Sequence, residues 1–319
     1  MYDVITFGSG TKDTYLILDQ NKIKDGNLDL CFRYGAKVEA HELRITTGGG
    51  GTNSAAALSK LGYHTAWCGM VGDDNEGNDV IADLKKFKVD RSFIKKTKEK
   101  PTNQSIVLMS PGSDRTILIY RGASNEYGLQ DLDLKKIKAK WIYIAPLAGK
   151  NLDFFAPLLE YAANNGIKIM VNPGIAQIDF LKQNMHLLNK IDILSVNEDE
   201  AARLTDHHID QVTESLSILT KMVKSVTIIT KGEKGVEVAD KKNIYSAGII
   251  NVTIVDKTGA GDSFNAGFLA EYMKSGNIPN AIQLATADAT CNMQNWGAKF
   301  NLLCSKDSWE RINVTITSL

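Results

Sequence analysis

Residues 255–273 read Val255-Asp256-Lys257-Thr258-Gly259-Ala260-Gly261-Asp262-Ser263-Phe264-Asn265-Ala266-Gly267-Phe268-Leu269-Ala270-Glu271-Tyr272-Met273. Phe264, Phe268, Leu269, Tyr272 and Met273 recur at helical spacing, so an apolar-faced helix starts near Asp262. The β-branched run at 249–255 ahead of it predicts a strand, which makes Gly259-Ala260-Gly261 a strand-to-helix turn. Small residues there leave backbone N–H groups uncovered, and those groups together with the helix dipole favour an anion such as a phosphate. An acid in the same turn competes with the anion it should repel. Two explanations stand: Asp262 is an ordinary N-cap, or it takes a proton from a nucleophile that attacks the phosphate.

The bulk numbers narrow the field. The chain has 319 residues, 43% hydrophobic and 23% charged, the profile of a globular enzyme of one large or two modest domains. Lys plus Arg and Asp plus Glu are 37 each, so the balance is neutral and argues against a nucleic-acid surface as the main business. No apolar run approaches the length of a membrane span, and the N-terminus lacks the basic start of a signal peptide. Cys31, Cys68, Cys291 and Cys304 show no C-x-x-C spacing and read as reduced thiols of a cytoplasmic protein. His207-His208 are adjacent and so point apart, which suits a surface turn better than a metal site. The basic run at 91–100 reads as a solvated strand or loop.

Working outward from the quoted stretch, strands and helices alternate. Strands are expected at 4–7, 64–71, 141–145, 167–171, 191–196 and 226–230, and helices at 53–61, 75–87, 152–164, 180–189, 198–204 and 212–222. Segments 104–109 and 116–120 flank the turn signal Ser110-Pro111-Gly112-Ser113-Asp114 and predict a hairpin, as do 236–239 and 243–246. From residue 262 onward the pattern is mostly helical. Short apolar strands alternating with helices imply α/β architecture, a mostly parallel central sheet flanked by helices on both faces. The rhythm breaks at about 11–47 and 91–121, where strand-like segments lack intervening helices. These regions are expected to form a small accessory sheet within a single 1–319 domain.

A second glycine cluster, Gly48-Gly49-Gly50-Gly51-Thr52-Asn53, runs straight into an Ala-rich helix, where Asn53 either caps the helix or bonds a ligand hydroxyl. No G-x-x-x-x-G-K-[ST] loop is present, which excludes a Walker-type site. Gly8-Ser9-Gly10 begins like a dinucleotide fingerprint, but Asp13 stands where the third glycine belongs and would face pyrophosphate.

From Gly8 to about Gly297 the chain resembles the ribokinase-like (PfkB) family of carbohydrate and nucleoside kinases. The signatures are Gly48 to Asp74, with Gly69-x-x-Gly72-Asp73-Asp74 and Gly77, and Asp256 to Asp262. The resemblance implies a ribokinase-like fold with a small β-sheet lid, ATP as phosphoryl donor and Mg²⁺. It assigns Asp262 as general base and Gly259, Ala260 and Gly261 as the anion hole. Thr11, Asp13, Gly49, Gly50 and Asn53 match substrate contacts, and Thr11 stands where sugar kinases of the family often carry Asn. Asn197, Thr230, Lys231, Gly232, Gly261 and Asn292 match nucleotide contacts, with 285–292 beside the adenine. Asn197-Glu198-Asp199-Glu200 resembles the N-x-x-E motif, in which Glu200 reaches Mg²⁺ through water. On pattern alone Glu200 also fits a surface acid in a helix's first turn. Asp256 and Thr258 match part of a monovalent-cation site, while Lys257 replaces a common Thr, so K⁺ stays open. The lid of the family often pairs two subunits, which leaves a homodimer open too.

The expected reaction is phosphoryl transfer to a hydroxyl of a small sugar. A nucleoside kinase comes second. A 6-phosphosugar kinase comes third and needs pocket bases, for which Arg33, Lys37, Arg44 and Arg121 are candidates. A non-catalytic sugar- or nucleotide-binding regulator would have no need of the base. A Rossmann oxidoreductase is the remote option.

Overall fold

The computed structural model describes residues 1–18, 32–109 and 115–319. Cys31 and the turn Ser110-Pro111-Gly112-Ser113-Asp114 lie outside the described residues. In chain order the strands are β1 (Tyr2–Phe7), β2 (Thr11–Leu18), β3 (Ala40–Gly48), β4 (Thr65–Gly72), β5 (Ile94–Thr97), β6 (Asn103–Met109), β7 (Thr116–Tyr120), β8 (Ala139–Ile144), β9 (Lys168–Val171), β10 (Ile193–Asn197), β11 (Val226–Thr230), β12 (Val236–Ala239), β13 (Asn243–Ala247) and β14 (Val314–Ser318). The helices are α1 (Gly50–Lys60), α2 (Asn75–Lys86), α3 (Asn151–Asn164), α4 (Ile175–Gln183), α5 (Glu198–Thr205), α6 (Val212–Met222), α7 (Ala260–Ser275) and α8 (Ile278–Met293).

Alternate residues of the central strands feed two separate cores. In β8, Trp141 and Tyr143 join the layer beneath α1, α7 and α8, while Ile142 and Ile144 join the layer beneath α3 to α6. Both faces are therefore buried, as a parallel sheet requires. The large sheet runs β14-β13-β12-β11-β10-β9-β8-β1-β4-β5, parallel from β11 to β5 and antiparallel from β11 to β14. The chain leaves β1 for β4 on one side and later adds β8 on the other. Ligands of such sheets bind beyond the carboxyl ends of strands at this kind of reversal.

A separate four-stranded sheet, β3-β2-β6-β7, forms the lid. Two register rows define its faces. Thr46, Asp13, Ser105 and Ile119 lie side by side on one face; Ile45, Thr14, Ile106 and Leu118 lie side by side on the other.

Four expectations are corrected. The run at 249–255 is irregular rather than a strand, because β14 pairs with β13 and fills the edge that the run would need. The chain beyond 262 accordingly contains β14 after its two helices. The segment 94–97 belongs to the large sheet, as β5 beside β4, so the lid's second half starts at Asn103. The helix expected at 180–189 starts earlier, at Ile175, where Gln177 Oε1 accepts from the Gly174 amide at 2.9 Å. It stops before Asn184, and a 3-10 turn over Met185–Lys190 follows.

Candidate active site

The quoted stretch does bend into a helix start, but Asp262 is not the cap. Gly259 is, with φ of 84°. A side chain there would be strained by that angle, and its Cβ would stand 2.3 Å from Ala298 Cβ. The Ser263 amide bonds Gly259 O at 2.9 Å, and the Ala260 amide reaches Lys257 O at 3.3 Å. The amides of Gly261 and Asp262 have no acceptor among the described residues, as expected for a first helical turn.

Ala260 and Gly261 border a cavity of about 540 Å³. Its other walls include Thr230, Gly232, the irregular segment 249–254 and Thr286, Ala289 and Thr290 of α8. The failed strand thus has a role as cavity wall. Asn197 ends β10 directly beside Thr230 of β11. Lys231 does not line this cavity; its ammonium bonds Glu237 Oε1 at 2.7 Å. Asn292 does not line it either. It is buried, and its amide bonds the carbonyls of Gly297 and Phe300, which holds the loop after α8.

Asp262 itself, partly exposed, is met from the other glycine turn. Asn53 Nδ2 donates to Asp262 Oδ2 at 2.8 Å. Asn53 is therefore a partner of the acid and not the cap of α1, which is Gly49 at φ 99°. Gly50 packs so near that a Cβ would be 3.4 Å from Asp262 Oδ1. On the same turn, a Cβ on Gly48 would stand 2.0 Å from Asp13 Oδ2. The glycine turn touches both acids because it carries no side chains. Burial pushes the Asp262 pKa above its ordinary 3.8, while the Asn53 bond and the charge of Lys299 pull it back.

Asp13 is buried in β2 and accepts from Thr11 Oγ1 at 2.9 Å and from Ser105 Oγ. Burial raises its pKa too, against those bonds and Lys299. Lys12 points to the far face and pairs with Asp79 at 2.5 Å. Sequence reasoning missed Ser105 and Lys299. Ser105 follows from the β2–β6 register once the pairing is known. Lys299 sits in a loop with no pattern of its own.

Asn197 and Glu200 form a reciprocal capping box on α5. Asn197 Oδ1 accepts from the Glu200 amide at 2.8 Å, and Glu200 Oε2 accepts from the Asn197 amide at 2.9 Å. Burial raises the Glu200 pKa. The other Glu200 oxygen has no hydrogen-bond partner among the described residues, which leaves it for a water-mediated cation and fits the habit of Mg²⁺ of keeping its waters. Asp256 is buried; Oδ1 accepts from the Thr258 amide at 2.9 Å and Oδ2 from the Gly297 amide at 3.0 Å. The hydroxyls of Thr258 and Tyr15 are buried close by without a well-formed hydrogen bond among the described residues. That oxygen-only set fits a hard cation. Arg44 stacks on Trp296 and pairs with Glu42 at 2.6 Å, and Arg33, Lys37 and Arg121 are exposed.

An acid beside bare helix amides, at the carboxyl end of a doubly wound sheet under a small β lid, marks a class of phosphotransferase. The family model described as pfkB family carbohydrate kinase matches residues 4–303, and the chain belongs to that family. It is a kinase with an alcohol group as acceptor. Ribokinase of Haemophilus influenzae is 25% identical over 287 residues, covering 86% of this chain and 90% of that protein. Arabidopsis thaliana ribokinase complexed with ribose and ATP superposes with a TM-score of 0.78 at 22% identity, covering 96% of each chain. The nucleoside kinase of Methanocaldococcus jannaschii superposes with a TM-score of 0.79 at 21% identity, again covering 96% of each.

Proposed function

We propose that this kinase transfers the γ-phosphoryl group of ATP to a hydroxyl of a small sugar, with Asp262 as general base and Gly259-Ala260-Gly261 as the anion hole. One observation carries the reading: on the first turn of α7, Ala260 and Gly261 border the cavity while Asp262 is held by Asn53 beside the glycine turn that also touches Asp13. The turn thus stands between a space for the donor and a polar recess for the acceptor. Thr11, Asp13, Gly49, Gly50 and Asn53 orient the acceptor. Thr230, Gly232, Asn197 and Gly261 flank the nucleotide, and the role of Lys231 and Asn292 becomes support of the neighbouring loops.

The acceptor hydroxyl attacks in line, and Asp262 Oδ takes its proton. The Gly261 and Asp262 amides stabilise charge on the transferring group, where electrostatic catalysis gains most. Glu200 and Asn197 would hold Mg²⁺ through water, and the ion when bound neutralises phosphate charge. Asp256 and Thr258 would hold K⁺. The lid excludes water, so ATP hydrolysis without acceptor is slow.

A nucleoside acceptor is the second reading. Ile119, exposed and in the same register row as Asp13 and Ser105, offers an apolar wall suited to a base. The setting is a cytoplasmic homodimer, joined through the lid face that carries exposed Ile45, Ile106 and Leu118. A panel of sugars, nucleosides and sugar phosphates, scored for acceptor-dependent ADP release with ATP and Mg²⁺, tests the reading. Release with a neutral sugar supports it; release with nucleosides alone selects the second reading, and none with any acceptor overturns both.

A further inference from the structure

Among the described residues that line the cavity beside α7, only Lys257 and Glu233 are charged, and they meet: Lys257 Nζ donates to Glu233 Oε1 at 3.3 Å. They come from separate walls, Lys257 from the segment ahead of α7 and Glu233 from the 3-10 turn Gly232–Lys234 after β11. The other lysines of that turn are engaged elsewhere. Lys231 bonds Glu237, Lys234 stands 3.7 Å from Glu198, and neither lines the cavity. The remaining lining is uncharged. Ile250, Val252, Phe264 and Met293 make an apolar part suited to a base, while Ala260 and Gly261 bring the first turn of α7. The Lys257 carbonyl accepts from the Ala260 amide at 3.3 Å, which anchors its backbone beside that turn.

We infer that Lys257 is a donor-binding residue of this kinase, whose ammonium exchanges the Glu233 carboxylate for the polyphosphate of the donor. The inference rests on reading the cavity as the donor's site. The resting pair is weakly held. Its side chains are 44% and 77% exposed, so water screens their attraction and an ion pair of this kind contributes little. A polyphosphate offers several charged oxygens that accept from the ammonium and from the uncovered amides of the turn at once, which one exposed carboxylate cannot match. A lone acid on this wall would repel such a ligand. Paired with Lys257 its charge is offset, and its exposure lets it turn to water once the ammonium is taken. Lysine suits the exchange, being a compact charge on a flexible stem that can serve either partner.

The test is calorimetric titration of the full chain with ADP, which needs neither acceptor nor turnover. Lys257→Met should weaken ADP about tenfold at low salt, and the gap should narrow at high salt, because an exposed charge contact is screened and packing is not. Lys257→Arg, which keeps the charge, should stay within about threefold of wild type. Glu233→Gln should tighten ADP by about 2- to 5-fold, the share that an exposed pair withholds. Equal affinity of Lys257→Met and wild type, a loss that salt leaves unchanged, or Glu233→Gln that binds ADP no tighter than wild type overturns the proposal. Wild-type protein that binds no ADP removes the donor reading itself, a result distinct from wild-type binding that Lys257→Met retains in full.

Discussion

In the proposed mechanism Asp13 and Asp262 face the same conflict: each would work ionised, and each sits where burial disfavours the charge. Catalysis by Asp262 should therefore fade as pH falls through a pKa above the ordinary carboxylate value. The proposed reading makes Asp13 the anchor and not the base, so Asp13→Asn should act chiefly on acceptor KM. Losing one charged hydrogen bond of about 1.5–3 kcal/mol predicts a KM increase of roughly 10- to 150-fold with a smaller change in kcat, read from initial rates against acceptor concentration. An equal loss in kcat at unchanged KM would contradict that division of labour. Asp262, Asp13 and Asn53 were legible because motif spacing marks them. Lys299 was not, since its partners Thr47 and Asp83 lie more than 200 positions away and no local periodicity links them. Nor was the turning of Lys231 toward Glu237, which depends on the β11–β12 hairpin register.

At the scale of elements, the α7–α8 pair rests on a close approach: a Cβ on Gly267 would meet Ala285 Cα at 2.9 Å. Helix α8 also carries a buried acid. Asp288 Oδ1 accepts from the Leu303 amide at 2.8 Å, and Oδ2 has no partner among the described residues. Burial, joined by Asp307, pushes its pKa from 3.8 to about 7, against the pull of that bond and of Lys60. A folded pKa above the unfolded one means that the native chain binds the extra proton. The associated stability is present below the unfolded pKa and is lost as pH rises toward 7. Asp288→Asn should escape that loss. Its stability relative to wild type should improve from pH 4 to pH 8 by up to about 4 kcal/mol, measured by urea unfolding at several pH values. A gap independent of pH would contradict the raised pKa. Most elements were legible because their apolar periods are clean, as with α6 and β11. The run at 249–255 misled because composition records strand propensity but not whether an edge is free. The early start of α4 was hidden because its signal is the Gln177 side chain accepting from the Gly174 amide, with no Ser or Asp at the cap.

For the whole molecule, the lid has two faces with different tasks. The row with Asp13 and Ser105 is the one the proposed reading turns to the acceptor, and the row with Ile45, Ile106 and Leu118 is exposed and apolar. Sequence reading found the lid from its missing helices but placed β5 in it, since a short strand gives no hint of which sheet it joins. Wild-type protein should be a dimer by sedimentation equilibrium, and Ile45→Glu should shift it to monomer while leaving the fold intact. A wild-type monomer at micromolar concentration would contradict the joining role of that face.

The central claim is that one carboxylate on the first turn of α7 removes the acceptor proton. Asp262→Asn keeps the Asn53 contact within reach and removes only the basicity. Acceptor-dependent ADP formation by that variant should fall by about 10²–10⁴-fold in kcat, with ADP affinity unchanged by calorimetry. Turnover near the wild-type rate would contradict the account.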